Sequence, residues 1–365
     1  MAEPADKRIS AATTPEGSTL ALASGGIEGG LLPGWTPYAV FAGSAALAAA
    51  ALLAAGVFTI ALMLLFAVLV ALVGTYVLSR TVEGPRRAKD RTVTLAIASA
   101  FGLAMIPLLS LIFEVAKRGI PGLSLEFFTE SARGVVNGGG AAHAIVGTLV
   151  ITGVAVAISV PIGLMAAIYM TEYGTGRLRR ALTFFVDVMT GIPSIVAGLF
   201  AYALFELFFG PGIRLGVMGS VALSVLMIPI VIRSAEEILK IVPNHLREAA
   251  YALGTPKWRT ITKVVLPTAF AGLVTGVMLA TARIIGETAP LLVTAGVVDS
   301  INADPFNGRM QNLAVYAFNE YRSPGVMKQA SYDRAWAAAL TLIAIVMILN
   351  VVARLIYRRY RTEIR

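Results

Sequence analysis

Two groups of charged residues lie where the chain is otherwise apolar. Arg283, Glu287 and Thr288 fall inside the run 268–296, and Arg233, Glu236 and Glu237 lie near the end of the run 216–235. Arg283 is 16 residues beyond Pro267, about 24 Å at helical rise. An ionised arginine so deep in a lipid layer costs on the order of 3 kcal/mol on insertion scales. A guanidinium is a planar fork of donors suited to a tetrahedral oxyanion. Glu287, four residues on, shares its helical face and is placed to pair with it, as Glu236 and Glu237 are with Arg233. A paired carboxylate tempers the field, so that an anion is held weakly enough to leave. It also accepts a hydrogen bond from a protonated oxyanion such as hydrogenphosphate, a bond that sulfate does not offer. The chemistry is then reversible binding of an anion along an aqueous path. The same pairs also suit plain locking of helices to one another. Gly286 permits close approach of another group, and Pro290 breaks or kinks the helix just beyond. The hydroxyls of Ser194 and Thr288 either line such a path or bond a carbonyl of the preceding turn.

The elements that must position these groups follow from composition. The chain has 365 residues, 57% hydrophobic and 14% charged, with mean hydropathy +0.78. Soluble domains average about 25% charged residues, so the fold class is all-α and polytopic in a membrane. Cysteine is absent, which excludes disulfides, a thiol nucleophile and a cysteine metal site. His143 and His245 are far apart and belong to no ligand motif, so no metal or cofactor is expected in this chain. The net charge of +9 points to lysine and arginine held on the cytoplasmic side rather than to nucleic acid.

Residues 1–36 are small and polar and read as a disordered tail; no secretory signal is expected, which puts the tail in the cytoplasm. From Tyr38 to Leu78 the run is about twice a spanning length. It reads as a hairpin turning near Ala55-Gly56, the alternative being one long tilted helix with an interfacial piece. A basic loop (83–91) precedes a third span over 94–115, which completes an N-terminal part over 37–116. The polar segment 117–140, with glycines at 138–140, reads as a periplasmic linker. Spans near 143–170, 182–209, 216–235, 268–296 and 335–357 bring the total to eight, with a basic tail at 358–365. In this arrangement 21 of the 30 lysines and arginines fall on one side and 8 on the other. That bias places both termini and the loop 236–267 in the cytoplasm.

The loop has a pattern of its own. Glu248-Ala249-Ala250 is followed after three residues by Gly254, and after nine more by Val264, then Leu266-Pro267. The spacing predicts a short amphipathic helix, a turn at Gly254, and a second short helix that re-enters the bilayer after Pro267, with Trp258 as an interfacial anchor. The alternative is an ordinary amphipathic connector. It resembles the coupling loop of ABC-importer permeases, with Val264 where that pattern has isoleucine. The resemblance implies a docking surface for an ATPase at Glu248, Ala249, Ala250, Gly254, Leu266 and Pro267. No glycine is followed by lysine, so a phosphate-binding P-loop is absent, and ATP and magnesium belong to the partner ATPase.

Three further stretches sharpen the resemblance. Gly191-Ile-Pro193-Ser194-Ile-Val-Ala-Gly198, Pro229-Ile-Val-Ile-Arg233-Ser-Ala-Glu236-Glu237 and Arg283-Ile-Ile-Gly286-Glu287-Thr288-Ala289-Pro290 together are similar to the inner-membrane permeases of phosphate-specific ABC importers, over about residues 141–357. The resemblance implies a type I ABC-importer permease core and import of inorganic phosphate. It implies as partners a second permease subunit, an ATPase dimer and a phosphate-binding protein, and a role in translocation for Arg233, Glu236, Arg283 and Glu287. The three N-terminal spans exceed the single leading helix typical of that family. Other readings stay open: a permease for sulfate or molybdate, an ATP-independent transporter or channel, and a structural or regulatory membrane protein. The outer loop 299–334, with Asp304, Asn307 and Tyr321, would meet a binding protein or simply be solvated.

Overall fold

Every long apolar run is helical, as one helix or two, in a computed structural model, which describes residues 32–132 and 139–360. Most of the expected disordered tail (1–31), part of the linker (133–138) and the end of the basic tail (361–365) lie outside the described residues. Among the described residues, seven helices are long and apolar enough to span a bilayer, and a bent helix pair makes eight. The chain divides into two units at Leu109, inside a continuous helix and ahead of the expected linker 117–140.

The first unit holds the hairpin α1 (Thr36–Ala54) and α2 (Ile60–Val82) and most of α3 (Pro85–Gly119). Gly56 supplies the left-handed turn, with φ +70°. Small residues face inward: Ser44 and Ala48 on α1, and Ala67, Ala71 and Thr75 on α2. Backbones approach closely there, as expected where lipid gives no hydrophobic drive between helices.

Glu83, between α2 and α3, organises the polar end of this unit. Its carboxylate accepts from Ser79 Oγ (2.7 Å), the backbone amide of Leu32 (2.9 Å) and Arg91 (2.8 Å), while Arg91 also donates to the carbonyl of Leu32 (2.8 Å). Burial acts to raise the Glu83 pKa, but the bonds from Ser79 and Leu32 and the charge of Arg91 outweigh it and hold the carboxyl below its usual 4.5. The stability it contributes is therefore complete above the unfolded-state value and is lost as pH falls through the lower folded value. Glu83→Gln is expected to weaken this closure by about 1.5–3 kcal/mol. Protection of the 79–91 amides, relative to their intrinsic exchange rates, should then be lower at neutral pH and should no longer fall as the pH drops below about 4.5. Unchanged exchange at neutral pH would contradict the role given to Glu83.

In the second unit α3 runs on to Gly119 and meets the last helix, α14 (Lys328–Tyr360). A Cβ on Gly119 would lie 2.8 Å from the carbonyl oxygen of Trp336. The expected linker is in its described part folded structure. A short α4 (Leu125–Thr129) is capped by Ser124 Oγ, and Phe127 is buried against Ala141, Ala144, Leu313 and Tyr316. Then come α5 (Ala142–Ile168), α6 (Gly176–Thr190), α7 (Ser194–Phe209), α8 (Gly216–Ile241), α9 (Asn244–Ala252), α10 (Lys257–Thr260), α11 (Leu266–Ile285), α12 (Ala289–Thr294) and α13 (Leu313–Arg322). The core joins α5, α8, α11 and α12 through Ile151, Leu223, Met227, Val231, Ile284 and Leu291. Ser220 Oγ donates to the carbonyl of Ile151 (3.0 Å), a direct bond between α8 and α5.

Two expected spans are not straight helices. The run 182–209 is split: α6 and α7 meet at 108° across Gly191-Ile192-Pro193. Proline has no N–H to continue the ladder and pushes the residue before it out of the helical region. The run 268–296 ends its first helix at Ile285 and resumes at Ala289. Pro290 lacks the N–H that would bond the carbonyl of Gly286, so the break falls four residues before the proline.

Candidate functional site

The two breaks face each other. Gly198 of α7 packs on α12 so closely that a Cβ there would lie 2.7 Å from Pro290 Cα, which explains why a glycine stands in that motif. Between the breaks is a cavity of about 290 Å³. Thr190, Pro193 and Ser194 reach it from the α6–α7 bend, Pro229 from α8, and Arg283 and Glu287 from the end of α11 and the residues after it. The hydroxyl of Thr190 is bonded to the carbonyl of Val186 (2.7 Å), so it presents mainly its methyl group.

The sequence-predicted residues distribute unevenly. Arg283 and Glu287 share the cavity, but they form no ion pair among the described residues. The expected i,i+4 pairing fails because the helix stops at Ile285, which removes the common face. Thr288 stands at the N-cap of α12 without a side-chain cap bond and does not line the cavity. Ser194 does line it.

Arg233 does not line this cavity. It lies four residues, about one turn or 6 Å, beyond cavity-lining Pro229. Its guanidinium pairs with Asp187 of α6 and with Glu236 (3.1 Å). Glu236 is buried and also accepts from Lys240 (2.7 Å). Glu237, expected to share in the pairing, is exposed and makes no ion pair among the described residues. Asp187 in turn precedes cavity-lining Thr190 by three residues. The Arg233–Asp187 pair thus joins α8 to α6 about one turn from the cavity, toward the 236–267 loop. Sequence reasoning missed Asp187, whose signal was a lone carboxylate in the apolar stretch Phe184-Phe185-Val186-Asp187-Val188.

The loop has the expected form. Leu253 ends α9, Gly254 takes φ +71°, and its amide donates to the carbonyl of Tyr251 (2.9 Å). Pro256 then opens α10. The second helix does not stop at Leu266-Pro267: α10, a wide π-helical turn over Ile261–Val265 and α11 form one helix from Lys257 to Ile285. Glu248, Ala249, Gly254 and Pro267 are exposed, Leu266 is half-buried and Ala250 is buried. Leu253 (85% exposed), Trp258 and Tyr251 add apolar surface to this face. Beneath it, Arg247 of α9 donates to Glu172, in the π-helical turn Tyr169–Tyr173 that follows α5 (2.8 and 3.1 Å), and to the carbonyls of Val242 (2.6 Å) and Leu239 (3.0 Å). Neither Arg247 nor Glu172 stands out by spacing, because their contact spans 75 residues.

The far end is also tied to the cavity. Asn312 accepts from the amide of Val315, which caps α13, and donates to the carbonyl of Glu287 (3.4 Å). The loop after α12 is folded by its own bonds, with Asn302 donating to the carbonyls of Asn307 (2.7 Å) and Arg309 (3.0 Å).

Comparison with known proteins gives a consistent picture. The family described as binding-protein-dependent transport system inner membrane component matches residues 159–365. The phosphate transport system permease protein PstA 1 of Mycobacterium tuberculosis is 45% identical over 275 residues, 74% of this chain and 88% of that protein. PstA of Mycobacterium leprae is 44% identical over 75% of this chain and 90% of its own, and PstA of Pasteurella multocida 38% over 74% and 95%. Among solved structures, a bacterial alginate ABC transporter in complex with an alginate-bound periplasmic protein has a chain that aligns with TM-score 0.51 at 14% identity, covering 75% of this chain and 96% of that one. The last likeness concerns the fold alone.

Proposed function

The chain belongs to the family of binding-protein-dependent transport system inner membrane components, and from that premise we propose that it is the PstA-type permease subunit of an ATP-driven importer of inorganic phosphate. It is a multi-pass protein of the bacterial inner membrane. Its partners in this reading are a second, PstC-like permease that completes the path, a PstB-like ATPase dimer that hydrolyses ATP, and a PstS-like binding protein that delivers phosphate. Both termini and the loop 236–267 face the cytoplasm, as the lysine and arginine bias supports.

The observation that carries the reading is the cavity between the two helix breaks, where Arg283 and Glu287 face one space without neutralising each other. Arg283 supplies charge and a donor fork to an oxyanion. Glu287 accepts the proton-bearing oxygen of hydrogenphosphate, which fully ionised sulfate and molybdate lack. Labelled phosphate uptake by the assembled transporter tests this directly. Excess sulfate or molybdate should leave uptake unchanged, whereas excess arsenate, a protonated tetrahedral analogue, should suppress it. Competition by sulfate, or uptake that persists without the ATPase, would refute the assignment.

Coupling follows from connectivity. The loop is flanked directly by the two helices that matter: α8 carries Arg233 and runs into α9, and the Lys257–Ile285 helix carries Trp258 at one end and Arg283 near the other. Closure of the ATPases moves the loop, and these helices switch the cavity between outward and inward access. The Arg233–Asp187 pair closes the loop side of the cavity in this scheme. Asp187 is 58% exposed, so the pair stabilises the fold by under about 1 kcal/mol. Asp187→Asn should therefore leave thermal stability nearly unchanged but raise ATP hydrolysis in the absence of phosphate several-fold. Unaltered basal hydrolysis would remove the pair from the gating scheme.

A further inference from the structure

The N-terminal unit contains a second cavity that the transport scheme does not use, and we propose that it binds the acyl chain of an anionic phospholipid whose headgroup rests on the basic turn at 86–91. This cleft of about 600 Å³ lies between the α1–α2 hairpin and α3. Its apolar walls include Phe41 of α1, Leu64 and Val68 of α2, and Leu95, Leu103 and Ile106 of α3. Along α3 it extends from Asp90 to Ile106, about 24 Å at helical rise. That is close to the depth of one leaflet with its headgroup layer, about 20–22 Å. The space is open: a Cβ on Gly102, in its wall, would meet no atom within 4 Å.

The charged lining and most of the polar lining are gathered at one end, where Tyr38, Asp90, Arg91 and Thr94 stand, with Ser99 further along the cleft. That end carries an excess of positive charge. The Glu83 carboxylate is closed off from solvent against Arg91, which leaves Asp90 as the one exposed acid among Arg86, Arg87 and Lys89, all exposed. Basic clusters beside membrane helices attract anionic headgroups, at about 1 kcal/mol per residue near the surface. A cleft with an apolar length and one cationic mouth matches a lipid with a negative head. A partner's transmembrane helix would need an apolar or small-residue face along its whole length and no charged end. The proposal stands whichever solute crosses the second unit.

The test uses the assembled transporter in nanodiscs of phosphatidylcholine doped with phosphatidylglycerol, one lipid at a time carrying a photoreactive group on its acyl chain. Phosphatidylglycerol should label residues of the cleft, read by peptide mass spectrometry, several-fold more than phosphatidylcholine bearing the same chain. Gly102→Phe should block the cleft at mid-length and cut that labelling several-fold. The triple change Arg86→Gln, Arg87→Gln, Lys89→Gln should leave labelling but abolish the preference. Equal labelling by the two lipids, or labels outside the cleft, would overturn the proposal. So would labelling of the isolated chain that vanishes in the assembled transporter, since a partner helix would then be the occupant.

Discussion

Replacing Arg283 by glutamine is expected to remove most phosphate uptake while the chain still inserts, assembles and supports ATP hydrolysis. Glutamine keeps an amide donor but loses the charge and the second arm of the fork. Hydrogen bonds to a charged group are worth about 1.5–3 kcal/mol each, so losing the charge from a partly enclosed cavity should reduce uptake at low phosphate by about 10–100-fold or more. Arg283→Lys should fall between, because it restores the charge without the planar pair of donors. The wild-type residue makes no ion pair among the described residues and is exposed in the isolated chain, so the fold itself should be little disturbed by either change. Uptake by the glutamine variant at the wild-type rate, measured on equal amounts of assembled transporter, would end the case for an anion held at Arg283.

A comparable loss is expected from Arg247→Ala, by a different route. This guanidinium bonds two carbonyls at the end of α8 and clasps α9 to Glu172, whose side chain is 6% exposed. Its removal frees the end of α8 and leaves a buried carboxylate without its partner, which costs about 3–5 kcal/mol. The exposed face of the 248–267 loop would then be presented on a loosened helix. ATP hydrolysis should continue, while phosphate moved per ATP falls at least several-fold. Because the variant is also destabilised, Glu172→Gln is the companion: it neutralises the buried acid while keeping an acceptor, and should be folded yet still poorly coupled. A normal ratio of phosphate to ATP in both variants would show that this clasp serves stability only.

What the sequence disclosed, and where it stopped, follows from the range of each interaction. The 248–267 loop was legible because helix, left-handed turn and second helix are local events marked by Gly254 and Pro256. The deep charges were legible because a guanidinium inside a long apolar run is conspicuous. The Arg283–Glu287 pairing was misread because residue counting assumed a helix that continued past Gly286, whereas a proline withdraws the bond from the carbonyl four residues earlier. Asp187 and Glu172 were invisible in their roles, since the contacts to Arg233 and Arg247 span 46 and 75 residues and leave no periodic trace. The split of 182–209 was written in Gly191 and Pro193, but uninterrupted hydropathy across them looked like one crossing.

The wide turn at Ile261–Val265 lies in the Lys257–Ile285 helix, between Trp258 and Arg283. A π-helical turn amounts to one extra residue in an otherwise regular helix, and one residue turns the helix face by about 100°. The azimuth of the 248–267 loop relative to Arg283 is therefore set by that single inserted residue. Gaining or losing one residue there would act as a twist between the loop and the cavity rather than as a change in the distance between them.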